Sequence, residues 1–140
     1  MKKKILLFAV LTSSLVGFSQ DMGGKVKKAK KAYSVYAYAD ASEKYADLGS
    51  EDIELKRELA NSYWRSDKLN EAEQVYSEIV ALDDKTSQDL YNYSAILRQN
   101  RKYEESETWM SNFAQVQPSD SRAEDFESNK GVHLKLLTDQ

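Results

Sequence analysis

The stretch KLNEAEQVYSEI at residues 68–79 returns 34 residues later as KYEESETWMSNF at 102–113. Shifted by that interval, Leu59-Ala60 falls on Tyr93-Ser94, Tyr63 on Leu97 and Leu69 on Tyr103. Ala72 falls on Ser106, Tyr76 on Met110, Ile79 on Phe113 and Asp84 on Pro118. Small lands on small and large on large. Self-similarity at such a period is the mark of a stacked helix-pair repeat. Two antiparallel helices approach closely where a small side chain meets its partner, and a large residue one turn away fills the adjoining space. One pair cannot bury its apolar face alone, so neighbours must stack and share a core. A single proline and five glycines leave little punctuation for a β-rich alternative.

An irregular earlier copy precedes these two. Ala41-x-x-x-Tyr45-x-x-Leu48 repeats the second-helix pattern, 31 residues before Ala72. The connection GSED at 49–52 is correspondingly short, with Ser50 expected as N-cap and Glu51 and Asp52 suited to a first turn. The first helix of that copy is expected over KVKKAKKAYSVY, 25–36. After the third copy, Ser121-x-x-Glu124 reads as a capping box opening a last helix that carries Phe126 and reaches Lys130 or beyond. Gly131 is a candidate stop. VHLKLL at 132–137 alternates like a strand and equally continues the helix.

The N-terminus has a different character. Lys2, Lys3 and Lys4 precede an uncharged, mostly apolar run from Ile5 to Phe18, and Gly17 and Ser19 place small residues at −3 and −1 of a cut. Residues 1–19 therefore read as a secretory signal peptide, too short for a membrane-spanning helix, with a mature chain starting at Gln20 or Asp21. Its removal takes three of the 20 basic residues and none of the 23 acidic ones, leaving 17 against 23. That balance argues against nucleic acid as a partner. With no cysteine, no disulfide assists folding after export, and the core must suffice.

Leu59-Ala60-x-x-Tyr63 followed by Ala72-x-x-x-Tyr76 resembles the large-small-x-x-aromatic and Ala-x-x-x-aromatic positions of the tetratricopeptide repeat (TPR), and Pro118 matches its closing proline. Ser94 and Ser106 depart from it, standing where Gly or Ala is usual. The resemblance implies an all-α, right-handed TPR-like α-solenoid of about three helix pairs plus a C-terminal capping helix. The repeats are expected at about 22–52, 53–86 and 87–120, with the capping helix and tail at 121–140. The order of YAYADASEKYADLGS, ELANSYW and DLYNYSAILRQNRKYEESETWMSNFAQVQPSDSRAEDFESNK resembles, over residues 20–135, the N-terminal region of Bacteroidetes envelope proteins of the OmpA family. There a signal peptide and a short TPR region precede a WD40-like propeller and a peptidoglycan-gripping domain, and some relatives serve type IX secretion and gliding. The resemblance implies an exported protein, periplasmic or outer-membrane associated. It is either a stand-alone relative or the front part of such an anchor, meeting membrane or peptidoglycan only through other domains or partners.

The residues that carry chemistry are sparse. One histidine, His133, and no cysteine remove most nucleophile–base pairs and metal sites, so no catalytic residue, metal or cofactor is expected. Asp83-Asp84 and Glu104-Glu105 sit at a turn and a helix start, where acids are ordinary. Five lysines in KVKKAKK suit an anionic lipid surface or wall carboxylates in one reading, and a solvated edge helix in the other. Tyr45, Tyr63, Tyr76 and Tyr103 fall on repeat-core positions. Trp109 is expected packed or convex, whereas Tyr33, Tyr91 and Trp64 fall on the concave face of first helices. Projection adds Arg57, Asn61 and Arg65 from one helix, Asn92 and Arg98 from the next, and Arg122 from the last. Such a basic, amide-rich groove with aromatic walls suits an extended protein or peptide segment, or its carboxylate. Arg57 and Asn61, with Asn92 following, also resemble the carboxylate-clamp class of these repeats, though Arg replaces Lys and Phe126 takes the place of the final cation. The expected function is a non-enzymatic interaction module of the envelope.

Overall fold

A computed structural model describes residues 9–138, with side chains over 21–129. Among the described residues there are seven helices and no strand, in two compact units divided after Ser66.

The first unit holds α1 (Ala9–Ser34), α2 (Tyr38–Leu48) and α3 (Ile53–Arg65). Ala29 and Ala41, both fully buried, let α1 and α2 close on each other. Tyr45 and Leu48 fill the adjoining space, with Met22, Val26, Tyr33, Leu55 and Leu59 packed around them. The Tyr45 hydroxyl hydrogen-bonds the Glu58 carboxylate across to α3. α2 ends on Gly49, whose φ of 54° lies where a Cβ is disfavoured.

The second unit holds α4 (Leu69–Ala81), α5 (Ser87–Gln99), α6 (Tyr103–Val116) and α7 (Ser121–Thr138). Its core runs through Tyr76, Ile79, Ile96, Leu97 and Phe113, all inaccessible to solvent. Burial of each such side chain contributes roughly 1.5–3 kcal/mol. The two unusual serines sit inside the α5–α6 contact. The Ser106 hydroxyl donates to the Ser94 carbonyl at 2.8 Å and lies 3.4 Å from the Ser94 hydroxyl. Their hydroxyls therefore serve each other where Gly or Ala would leave only closeness.

The helix-to-helix turn is repeated as faithfully as the helices. Tyr36, Asp67 and Arg101 each take a φ of 62–63° just before α2, α4 and α6. Around the first and last, Tyr36 N–H donates to the Tyr33 carbonyl and Ala37 N–H to Ala32, as Arg101 N–H does to Arg98 and Lys102 N–H to Leu97.

Several expectations are corrected. The first helix runs Ala9–Ser34 instead of 25–36. α3 is capped by Asp52, whose carboxylate accepts from the N–H groups of Glu54 and Leu55, while the Ser50 hydroxyl accepts from Asp52 N–H. Asp52 can reach two orphan donors of the first turn, which Ser50 lies too far upstream to do. The cap of α7 is Asp120, one residue before the expected Ser121, and it accepts from Arg122 N–H at 2.9 Å. Gly131 does not end α7, and 132–137 is helical. Tyr103 is 60% exposed, because it opens α6 and overhangs the turn instead of entering the core.

Candidate functional site

α5 is set firmly before it presents anything. Thr86 and Asp89 form a capping box: the Thr86 hydroxyl accepts from Asp89 N–H, and the Asp89 carboxylate accepts from Thr86 N–H at 2.8 Å. From this start α5 turns Leu90, Tyr93 and Leu97 inward and Tyr91, Ala95 and Arg98 toward α7.

α7 is held against that second face by its own first turn. Asp120 and Arg122 make a two-point ion pair, Nε to Oδ1 at 2.9 Å and Nη2 to Oδ2 at 2.8 Å. Arg122 Nη1 adds a bond to the Gln88 side-chain carbonyl at 3.1 Å. The guanidinium lies 4.2 Å from the Tyr91 ring centre and 4.9 Å from that of Phe113, a cation over two aromatic faces. Its hydrogen bonds pull the Asp120 carboxyl down to about 2, and Asp120 in turn raises the Arg122 pKa. Arg122 is thus a fixed wall.

Between α5 and α7 lies a cleft of about 400 Å³, near the lower end of the range for ligand pockets. Met110 from α6 lines its base and is nearly buried. Ala95 and Phe126 add apolar lining. Arg98, Gln99, Asp125 and Asn129 stand at its margins. Arg98 is exposed and, among the described residues, pairs with no acid. The cleft can therefore take an apolar side chain on Met110 and Phe126 and an anion on Arg98.

Of the residues projected onto a groove, Tyr91, Arg98 and Arg122 meet here. Asn92 does not. Its amide donates to the Tyr76 hydroxyl at 3.0 Å and accepts from Gln88 at 2.7 Å, so it joins α5 to α4. Arg57, Asn61, Trp64 and Arg65 belong to the first unit. Arg57 pairs with Glu54 at 2.5 Å, Asn61 and Trp64 are half-buried, and Arg65 is exposed. Tyr33 is likewise drawn into the first unit, where burial raises its pKa, and packs edge-on against Tyr38 at 5.3 Å. Trp109 packs edge-on against Tyr93 at 5.2 Å. Projection missed Met110, Gln99, Asp125 and Asn129. The last two were detectable, because Arg122-Phe126 and Asp125-Asn129 are four-residue spacings that put both pairs on adjoining strips of α7.

Among the described residues, no group of three acidic, His or Cys side chains is placed to hold a metal, and no helix is long and apolar enough to cross a membrane. His133 lies outside the described side chains.

No known family model matches the chain, and no curated protein matches it in sequence. Solved structures do match. The type III secretion translocator chaperone SycD of Yersinia enterocolitica superposes with a TM-score of 0.59 at 16% identity, over 84% of this chain and 90% of that one. PcrH, solved in complex with the chaperone binding region of PopB, gives 0.61 at 13% identity, over 81% and 94%. The Arabidopsis OM64 TPR domain gives 0.64 at 15% identity, over 79% and 93%. This chain has a TPR-like helical-repeat fold. At such identities the likeness concerns the fold alone.

Proposed function

We propose that the chain is a non-enzymatic protein-interaction module that takes an extended segment of a partner in the α5–α7 cleft. The observation that carries this reading is Arg98, which among the described residues pairs with no acid, at the edge of an apolar floor whose other cation, Arg122, is already satisfied. An apolar side chain would rest on Met110 and Phe126 while a neighbouring carboxylate met Arg98, a charge-assisted bond of the stronger kind. PcrH, of the same fold, holds a segment of PopB, which supports a peptide as the class of ligand. A displayed random-peptide library selected on the full chain tests this. Enrichment of peptides with an apolar residue beside an acid is expected, and Arg98→Glu should abolish the acidic preference without lowering the melting temperature. No enrichment, or the same peptides from the variant, would overturn it.

Export is the second part of the reading, and the basic-apolar-small pattern of residues 1–19 supports it. The OmpA-family envelope setting rests on motif order alone. Its test is the size and cell fraction of the native product: a large species sedimenting with peptidoglycan would favour the anchor, and a small soluble one a free-standing adaptor.

A further inference from the structure

The α1–α2 turn breaks the pattern of its own repeats. At the left-handed position, the α3–α4 and α5–α6 turns carry Asp67 and Arg101, whereas the α1–α2 turn carries Tyr36. The left-handed φ belongs to the repeat, since Arg101 shares it, but only in the α1–α2 turn is that position aromatic and preceded by an apolar residue. Tyr36 is also 79% exposed, and Val35 beside it 62%. The Tyr36 ring meets Tyr38 edge-on at 6.1 Å yet stays largely in solvent, so packing in this unit accounts for little of either residue.

The same correspondence shows what is missing around them. On and just beyond α5, Asn92 bonds Tyr76, Asn100 reaches back to the Leu69 carbonyl and to Glu73 on α4, and Lys102 also binds Glu73. Two helix pairs earlier, Val35 stands for Asn100, Ala37 for Lys102, Lys31 for the buried Ile96 and Lys27 for Asn92. The strip that receives α4 on α5 is thus, on α1, Lys27-Lys31-Val35, with Tyr36 at its end. Lys25 pairs with Asp21 and Lys30 lies 3.8 Å from Glu58. Lys27, Lys28 and Lys31 are exposed and pair with no acid among the described residues.

We propose that this strip and the Val35-Tyr36 tip form a docking surface for the headgroup layer of an anionic bilayer. A further helix packed there would have to cover Lys27 and Lys31 where α5 offers an amide and an isoleucine, and lysine is rarely buried unpaired. A lipid interface leaves the ammonium groups among phosphates, and takes up a tyrosine ring and a valine just beneath them. Charge favours the first unit for such a contact. Residues 21–66 carry nine basic against eight acidic residues, and 67–140 carry eight against 15. The lipid contact expected only through other domains is here assigned to α1 itself.

The absence of cysteine permits a local test. An environment-sensitive fluorophore on Val35→Cys of the full chain is titrated with phosphatidylglycerol and with phosphatidylcholine vesicles. Val116→Cys, at a site 57% exposed in the other unit, serves as control. The label at 35 should move to the blue with the anionic vesicles only, less so as salt shortens the screening length, and the control should not respond. Lys27→Glu with Lys31→Glu should weaken partitioning at least about tenfold. Tyr36→Asn, a residue that tolerates the left-handed region, should weaken it while the melting temperature holds or rises. A silent label at 35 would overturn the proposal, as would equal shifts at 35 and 116 or equal response to both lipids, which point to the apolar run at 5–18. So would undiminished binding by the charge-reversed protein. Binding to soluble polyglutamate without vesicle binding would assign the surface to an acidic polypeptide instead.

Discussion

At the scale of single residues, the clearest test of the packing is the serine pair. Ser94 and Ser106 are almost wholly buried, and each hydroxyl depends on the other residue. Ser106→Ala alone should cost about 1 kcal/mol, since it strands the Ser94 hydroxyl, whereas the double alanine should come back close to the parent. Chemical denaturation of the four proteins of that cycle decides it, and equal losses in single and double variants would disprove the coupling. Glu73 makes a second residue-scale prediction. Burial raises its pKa, but hydrogen bonds from Lys102 and Asn100 and the Lys102 charge outweigh that, and the net shift is downward. A carboxyl depressed in the folded state adds stability above its unfolded value, near 4.5, and loses it as pH falls through the folded one. Glu73→Gln keeps an acceptor for Asn100 but loses the charge that Lys102 and Asn100 bond, and should therefore destabilise by up to about 1 kcal/mol at neutral pH. The gap from the parent should close in acid, below 4.5.

At the scale of elements, what was legible followed from size and period. Ala41 with Tyr45 and Ala72 with Tyr76 are buried as their spacing predicts, because helix packing at close approach leaves few other solutions. The ends were less legible. A cap depends on which oxygen can reach the first turn, and with Ser50 beside Asp52 and Asp120 beside Ser121 composition alone does not choose. Tyr103 failed for a related reason: it shares a repeat position with Leu69, yet at the first residue of a helix a long ring can swing past its neighbour. Of the candidate site, the three arginine and tyrosine contributors on α5 and α7 were legible from projection. Asn92 was not, since the pattern places its backbone but not its bond to Tyr76. The α7 start makes its own prediction. Asp120 is held down by hydrogen bonds from Arg122, from 3.8 to about 2. The contribution is complete above 3.8 and disappears as pH falls through about 2. Carboxyl titration followed by NMR should find Asp120 near 2, and a value near 3.8 would mean that Arg122 is not pinned over Tyr91. At the start of α5, Thr86→Ala removes a cap and deprives the buried Asp89 carboxylate of one donor. A loss of about 1–2 kcal/mol is expected.

At the scale of the whole molecule, the open matter is how α1 serves two ends. It is one continuous helix from Ala9 to Ser34, and the expected cut after Ser19 lies within it. A peptidase needs extended backbone, so cleavage must precede the closing of that helix or open it locally. Among the described side chains, α1 contributes Met22, Val26, Ala29, Ala32 and Tyr33 to the core, all beyond the cut. These residues by themselves pack against Ala41, Tyr45 and Leu48 of α2, so a chain begun at the cut keeps that interlock. Two results are expected together. Mass spectrometry of the native protein should place its N-terminus at Gln20 or Asp21, and a chain begun at either residue should melt within a few degrees of the full one. An intact N-terminus would remove the export reading and leave the lysine strip of α1 directly behind an apolar run. A large loss of stability on trimming would instead make residues 9–19 part of the fold, and the periodic core from Met22 onward would no longer suffice to account for the first unit.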